Sequence, residues 1–150
     1  MFHLDRLFWK AGWKSITREE LKREITKVLA LDSWIIDGNF GETMNMRIEA
    51  ADTIIFLDFP VWLCLWNVVK RRIEYSGKTR PDMTEGCNEK IDLEFIMWIV
   101  SFPFKRRKAN YEKLKSFAGE KNILIYRNRK EVGKFLFDCE IVRNKEKKVQ

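Results

Sequence analysis

Three aspartates stand at the ends of short apolar runs: Asp5 after Phe2-His3-Leu4, Asp37 after Trp34-Ile35-Ile36, and Asp58 after Thr53-Ile54-Ile55-Phe56-Leu57. If these runs are strands of a parallel sheet, all three carboxylates fall at strand carboxyl ends, where open α/β sheets bind ligands. A single aspartate there serves equally well as a helix cap or turn former. Three in one sheet point to a functional edge. Asp37 opens the segment Asp37-Gly38-Asn39-Phe40-Gly41. Glycine lets backbone N–H groups come close to a ligand, and the Asn39 amide both donates and accepts. A carboxylate in this turn could hold a Mg²⁺-bound water or an acceptor hydroxyl.

Arginines are the other half of such chemistry. Arg47, Arg71, Arg72, Arg80, Arg106 and Arg107 fall on helices or loops near those ends. Guanidinium forks bind phosphate oxygens bidentately and stabilise charge during phosphoryl transfer, although a lone surface arginine is commonly no more than a solvated charge. Arg80 lies in Gly77-Lys78-Thr79-Arg80-Pro81-Asp82-Met83, a Gly/Pro loop of the kind that closes over a substrate. His3, the one histidine, has no cluster of partners in the sequence and reads as a strand or terminus residue.

The elements that must position these residues follow from periodicity. Thr17-Arg18-Glu19-Glu20 is a capping box, and Leu21, Ile25, Val28 and Leu29 then share one helical face. A polar helix is expected over 42–51. The run 53–57 is apolar on both sides, as in a strand buried on both faces of a parallel sheet. Trp62, Leu65, Trp66, Val69 and Ile73 mark the inward side of the next helix, and Ser76 to Asn88 is a loop. An apolar helix over 93–100 is interrupted by Pro103, and a basic helix with Leu114 and Phe117 inward follows. Ile123-Leu124-Ile125-Tyr126 is a further strand. Asn128 caps a last helix with Val132, Phe135, Leu136 and Cys139 on one face. Alternation of this kind means α/β with a parallel sheet. One domain is expected over 1–143, with a lid at about 76–90 and a charged, frayed tail over 144–150.

The 150-residue composition, 45% hydrophobic and 34% charged, reads as globular. The longest apolar run, Val61 to Val69, is far short of the roughly 20 residues of a membrane span. The start of the chain lacks a basic region followed by an apolar one, so export is not expected. Cys64, Cys87 and Cys139 are odd in number and widely spaced, which fits a reducing cytoplasm better than a disulfide framework or zinc site. The net charge of +7 is uneven, because residues 105–150 hold 15 Lys+Arg against 6 Asp+Glu. Such a third of the chain can bind nucleic acid or polyphosphate, or be a solvated helix face.

Read in order, these segments resemble the bacterial DNA topology modulation proteins, an adenylate kinase-like branch of P-loop kinases. The resemblance rests on His3-Leu4-Asp5 with Leu7-Phe8-Trp9-Lys10 and Gly12-Trp13, and on Trp34-Ile35-Ile36-Asp37-Gly38-Asn39-Phe40 with Arg47. Ala51-Asp52-Thr53-Ile54-Ile55-Phe56-Leu57-Asp58, Lys70-Arg71-Arg72, Gly77 to Met83, Glu85-Gly86-Cys87, Glu94-Phe95 and Trp98 continue it. It implies a three-layer α/β/α fold on a five-stranded parallel sheet, with ATP and Mg²⁺ as cofactors and phosphoryl transfer to a nucleotide or other small acceptor. It further implies that Asp5, Asp37, Gly38 and Asn39 face the acceptor and that Arg47 contacts acceptor phosphate or ribose. Arg72 and Arg80 would grip donor phosphates, with Arg106 or Arg107 returning from the lid.

The chain departs from that pattern at its start. Such domains open on a strand, G-x-x-x-x-G-K-[ST] and a helix. Here the only Gly-Lys-Thr is Gly77-Lys78-Thr79, with Arg72 in place of the first glycine and a helix before it instead of a strand. Met1 falls at what should be the second strand. The segment without its P-loop is expected to be inactive alone and to expose inner strand edges. Two other readings stand beside this one. The basic C-terminal third could form a DNA-binding module, with Trp62, Trp66 and Trp98 taken as core instead of base-stacking residues. Alternatively, the chain is a non-catalytic remnant completed by a partner chain or by homodimerisation through the strand edges.

Overall fold

The computed structural model describes residues 1–146, and side chains as far as residue 141. The chain is mixed α/β, in the order β1 (Phe2–His3), α1 (Leu4–Phe8), β2 (Trp9–Lys10), β3 (Lys14–Ser15), α2 (Arg18–Leu29), β4 (Ile36–Asp37), α3 (Gly41–Ala50) and β5 (Thr53–Leu57). There follow α4 (Val61–Glu74), α5 (Leu93–Phe102), a π-helical turn (Pro103–Arg107), α6 (Lys108–Ser116), β6 (Asn122–Tyr126) and α7 (Arg129–Glu146). The strands form three separate two-stranded sheets: β1 with β4 in parallel, β5 with β6 in parallel, and β2 with β3 antiparallel. The chain divides into two compact units. One holds Met1–Ala51 and Trp66–Met97, and the other holds Asp52–Leu65 and the described residues from Trp98 onward.

In the first unit the core is centred on Leu4, Leu21 and Ile25, with Leu7, Phe8, Ile16, Leu29, Ile36, Phe40 and Met46 packed around them. Helix α2 delivers Leu21, Ile25 and Val28 from one face, as its periodicity demands. Its start is fixed by the capping box: the Thr17 hydroxyl accepts from the Glu20 amide at 3.2 Å and the Glu20 carboxylate accepts from the Thr17 amide at 2.8 Å. Leu4 is fully buried, which stabilises the fold by about 2 kcal/mol over an exposed leucine. Leu4 begins α1 instead of extending β1. A β2–β3 hairpin, unforeseen in the sequence, follows α1 and turns through Gly12 and Trp13, both at positive φ.

The second unit is built on the full-length β5–β6 ladder, Thr53↔Asn122 through Leu57↔Tyr126. Among the described residues its buried side chains are Ile99, Leu114 and Asp58, and Leu114 faces inward as expected. Asn128 accepts from the Glu131 amide at 3.0 Å and so caps α7. The expected tail begins at Asn144, but α7 continues to Glu146; residues 147–150 lie outside the described residues.

Several burial expectations are overturned. β5 alternates between exposed and half-buried positions instead of being covered on both faces, with Ile55 47% and Leu57 51% exposed. The apolar side of α4 is open as well: Trp62, Trp66, Val69 and Ile73 are all exposed, and Trp66 and Ile73 line a shallow surface hollow with Val69, Lys70 and Glu74. Helical spacing identifies an apolar face; it does not supply an element to cover it. On α7, Val132 and Phe135 are half-buried whereas Leu136 and Cys139 are exposed.

Candidate functional site

The carboxyl end of the β1–β4 pair carries several of the residues expected to face an acceptor. The parallel register sets His3 directly beside Asp37, and His3 Nδ1 lies 2.7 Å from Asp37 Oδ1. The next residue, Gly38, has φ +126°, and a Cβ there would come within 2.8 Å of Leu4 Cβ. Both the backbone conformation and the close approach to α1 therefore demand glycine. Asn39 is exposed in the same turn.

Arg47, on α3, pins this turn from behind. Its Nη1 donates to the Gly38 carbonyl at 3.1 Å, its Nη2 to the Phe40 carbonyl at 2.9 Å and its Nε to the Thr43 carbonyl at 3.3 Å. The guanidinium is half-buried, and burial pulls its pKa down. Asp5 enters from the first turn of α1. Burial pushes its carboxyl above the ordinary value of 3.8; Arg80 pulls the other way, Asp82 and Asp37 add to the rise, and Arg71 opposes it.

The loop carrying Arg80 is anchored at both its start and its end. Ser76 bridges Glu89 and Thr79 bridges Asn88. Its far side is tied to α1 and the β2–β3 hairpin: the Thr84 hydroxyl donates to the Arg6 carbonyl at 2.9 Å, and Asn88 accepts from Trp13 Nε1 at 3.2 Å. Two of its own side chains, Met83 and Cys87, are buried. At its centre the Glu89 side chain, 2% exposed, holds two guanidiniums. Oε1 pairs with Arg71 Nε and Oε2 with Arg80 Nε, both at 2.7 Å, and Arg80 also pairs with Asp82 at 3.0 Å. Two cations on one buried carboxylate satisfy a charge that would otherwise be costly in this setting. Arg72 faces elsewhere and donates to the Ser76 hydroxyl at 3.1 Å. Gly77-Lys78-Thr79 closes a turn after α4, with the Lys78 amide donating to the Tyr75 carbonyl at 3.0 Å. That is a helix-ending turn, not the strand-to-helix cradle of a P-loop.

The second unit carries its own charged cluster. Asp58, buried at the end of β5, accepts from Arg107 Nε at 3.1 Å and from the Tyr111 hydroxyl at 2.7 Å. The bond to Asp58 pushes the Arg107 pKa up. Arg127 adds a long contact to the Tyr111 hydroxyl, and Arg106 sits over the Trp98 ring.

Asp5, Asp37, Gly38, Asn39, Arg47, Arg72 and Arg80 thus all belong to the first unit, and Arg107 belongs to the second. Two first-unit residues escaped the sequence reading. His3 looked isolated, yet pairing Phe2-His3 with Ile36-Asp37 would have revealed its partner. Glu89 carries no signal in sequence, because nothing in its spacing announces that two arginines converge on it. No family model, curated protein or solved structure matches the chain. Among the described residues no group of three or more His, Cys, Asp or Glu side chains is placed to hold a metal ion, and no helix is long and apolar enough to cross a membrane. Arg80, expected to grip donor phosphates, is engaged instead by the Asp82 and Glu89 carboxylates.

Proposed function

We propose that this chain is the acceptor-binding part of an adenylate kinase-like phosphotransferase, which directs a phosphoryl group from ATP to a small acceptor. The observation that carries the reading is the carboxyl end of β1–β4. There Asp5, the His3–Asp37 pair and the Arg47-pinned Gly38 turn meet the Arg80 loop in one compact unit. Ligand sites of open α/β sheets lie at such ends. In the fold this reading invokes the donor phosphates sit on a P-loop strand and its loop, and neither parallel pair, β1–β4 or β5–β6, carries that motif. On this reading the donor phosphates require that strand, its loop and the following helix, and the 150 residues alone bind ATP poorly.

Calorimetry with Mg·ATP tests this directly. The chain joined at its N-terminus to a strand–loop–helix bearing G-x-x-x-x-G-K-[ST] should bind at least tenfold more tightly than the chain alone, about 1.4 kcal/mol. Equal affinity in the two forms would remove the reading.

A further inference from the structure

Helix α4 carries an exposed apolar stripe with a regular spacing. Trp62, Trp66, Val69 and Ile73 follow one another at intervals of four, three and four residues, the rhythm of a helix that packs lengthwise on another helix. All four side chains belong to residues between 45% and 74% exposed. Trp66, Val69, Lys70 and Ile73 also line the surface hollow, with Glu74 at its rim. Those four stand at i, i+3, i+4 and i+7. Residues so spaced form the hole that receives one side chain, the knob, of a facing helix. The hollow lies wholly within the first unit.

Three observations select a second copy of this chain as the occupant. The first is register. The spacing reads the same in both directions, so an antiparallel copy of α4 meets it layer for layer, Trp62 on the partner's Ile73 and Trp66 on the partner's Val69. The second is charge. Val61 to Val69 holds no charged residue, whereas Lys70, Arg71, Arg72 and Glu74 crowd the C-terminal end of the helix. A parallel pair would set two basic ends side by side, at a cost in repulsion. An antiparallel pair lays each basic end over an uncharged one. The third is area. Two tryptophans at roughly 150–250 Å² each, with Val69 and Ile73 beside them, amount over two copies to about 1,000 Å², the lower limit for a specific interface.

We infer that two copies of this chain pair antiparallel through α4 about a two-fold axis, with Trp66 of each seated in the hollow of the other. The same patch serves both copies, so the contact closes at a dimer instead of growing into a filament. The inference is independent of the phosphotransfer reading.

Sedimentation equilibrium of the full chain tests it. The area predicts a weak dimer, with a Kd of about 100 μM or tighter. Trp66→Asp should weaken it at least about tenfold. Trp62→Glu alone and Ile73→Lys alone should each do the same, with circular dichroism unchanged because these side chains are exposed. Mixed in equal amounts, the Trp62→Glu and Ile73→Lys chains should pair at least about tenfold more tightly than either does alone. The antiparallel register sets the new carboxylate against the new ammonium in one layer and keeps the native layer in the other. A chain still monomeric at about 1 mM overturns the inference and leaves the stripe to a P-loop segment or an unrelated protein. A dimer indifferent to Trp66→Asp, an open polymer, or single variants that recover nothing on mixing also overturns it.

Discussion

Asp5 is where the demands of a site and of a fold conflict. Its carboxyl is lifted above 3.8 chiefly by burial, with Asp82 and Asp37 adding to the rise against Arg80 and Arg71. A carboxyl whose folded pKa lies above its unfolded one binds its proton more tightly in the folded state. Stability therefore falls as pH rises from the unfolded value through the raised one, and stays lower beyond it. Asp5→Asn removes that ionisation. The variant should be more stable than the wild type at pH 7, and the gap should close as the pH is taken below 4. Urea unfolding across that range measures it, and a variant less stable at pH 7 would contradict the assignment. A residue kept at such a cost fits a role at the acceptor edge. At this scale the sequence was partly legible. Asp5, Asp37 and Gly38 announce themselves by standing after apolar runs, whereas His3 and Glu89 depend on partners 34 and 9 residues away that only the pairing of strands and the fold of the loop bring near.

At the scale of elements, local signals carried well. The capping box of α2, the β5 and β6 strands and the Asn128 cap arise from neighbours in sequence, so spacing alone identifies them. Burial did not carry over, because an apolar face needs a second element to cover it. The open sides of α4 and β5 are examples. The loop from Ser76 to Glu89 shows the same limit. Its Gly and Pro residues suggested a lid, while its anchoring comes from Glu89 gripping Arg71 on α4 and Arg80 within the loop. Glu89→Gln removes the charge while two guanidiniums remain beside it. It should cost about 3 kcal/mol, within the range for breaking a buried pair, and make the loop more open to limited proteolysis. A loss below about 0.5 kcal/mol with an unchanged cleavage pattern would show that the anchor lies elsewhere.

For the whole molecule, the α/β class was legible from the alternation of elements, but the sheet arrangement was not. Sequence periodicity marks strands without saying which edges meet, and the structure places the parallel strands in two separate pairs. The central claim is that these elements form the acceptor side of a phosphotransferase. The most direct measurement is transfer of labelled γ-phosphate from Mg·ATP to a pool of nucleosides and nucleoside monophosphates. It should be made with the 150-residue chain and with the chain joined to a P-loop strand–loop–helix. The joined form should label an acceptor, and the chain alone should label none above background. A joined form that binds ATP but labels nothing, or a short chain that labels as fast as the joined one, would contradict the account.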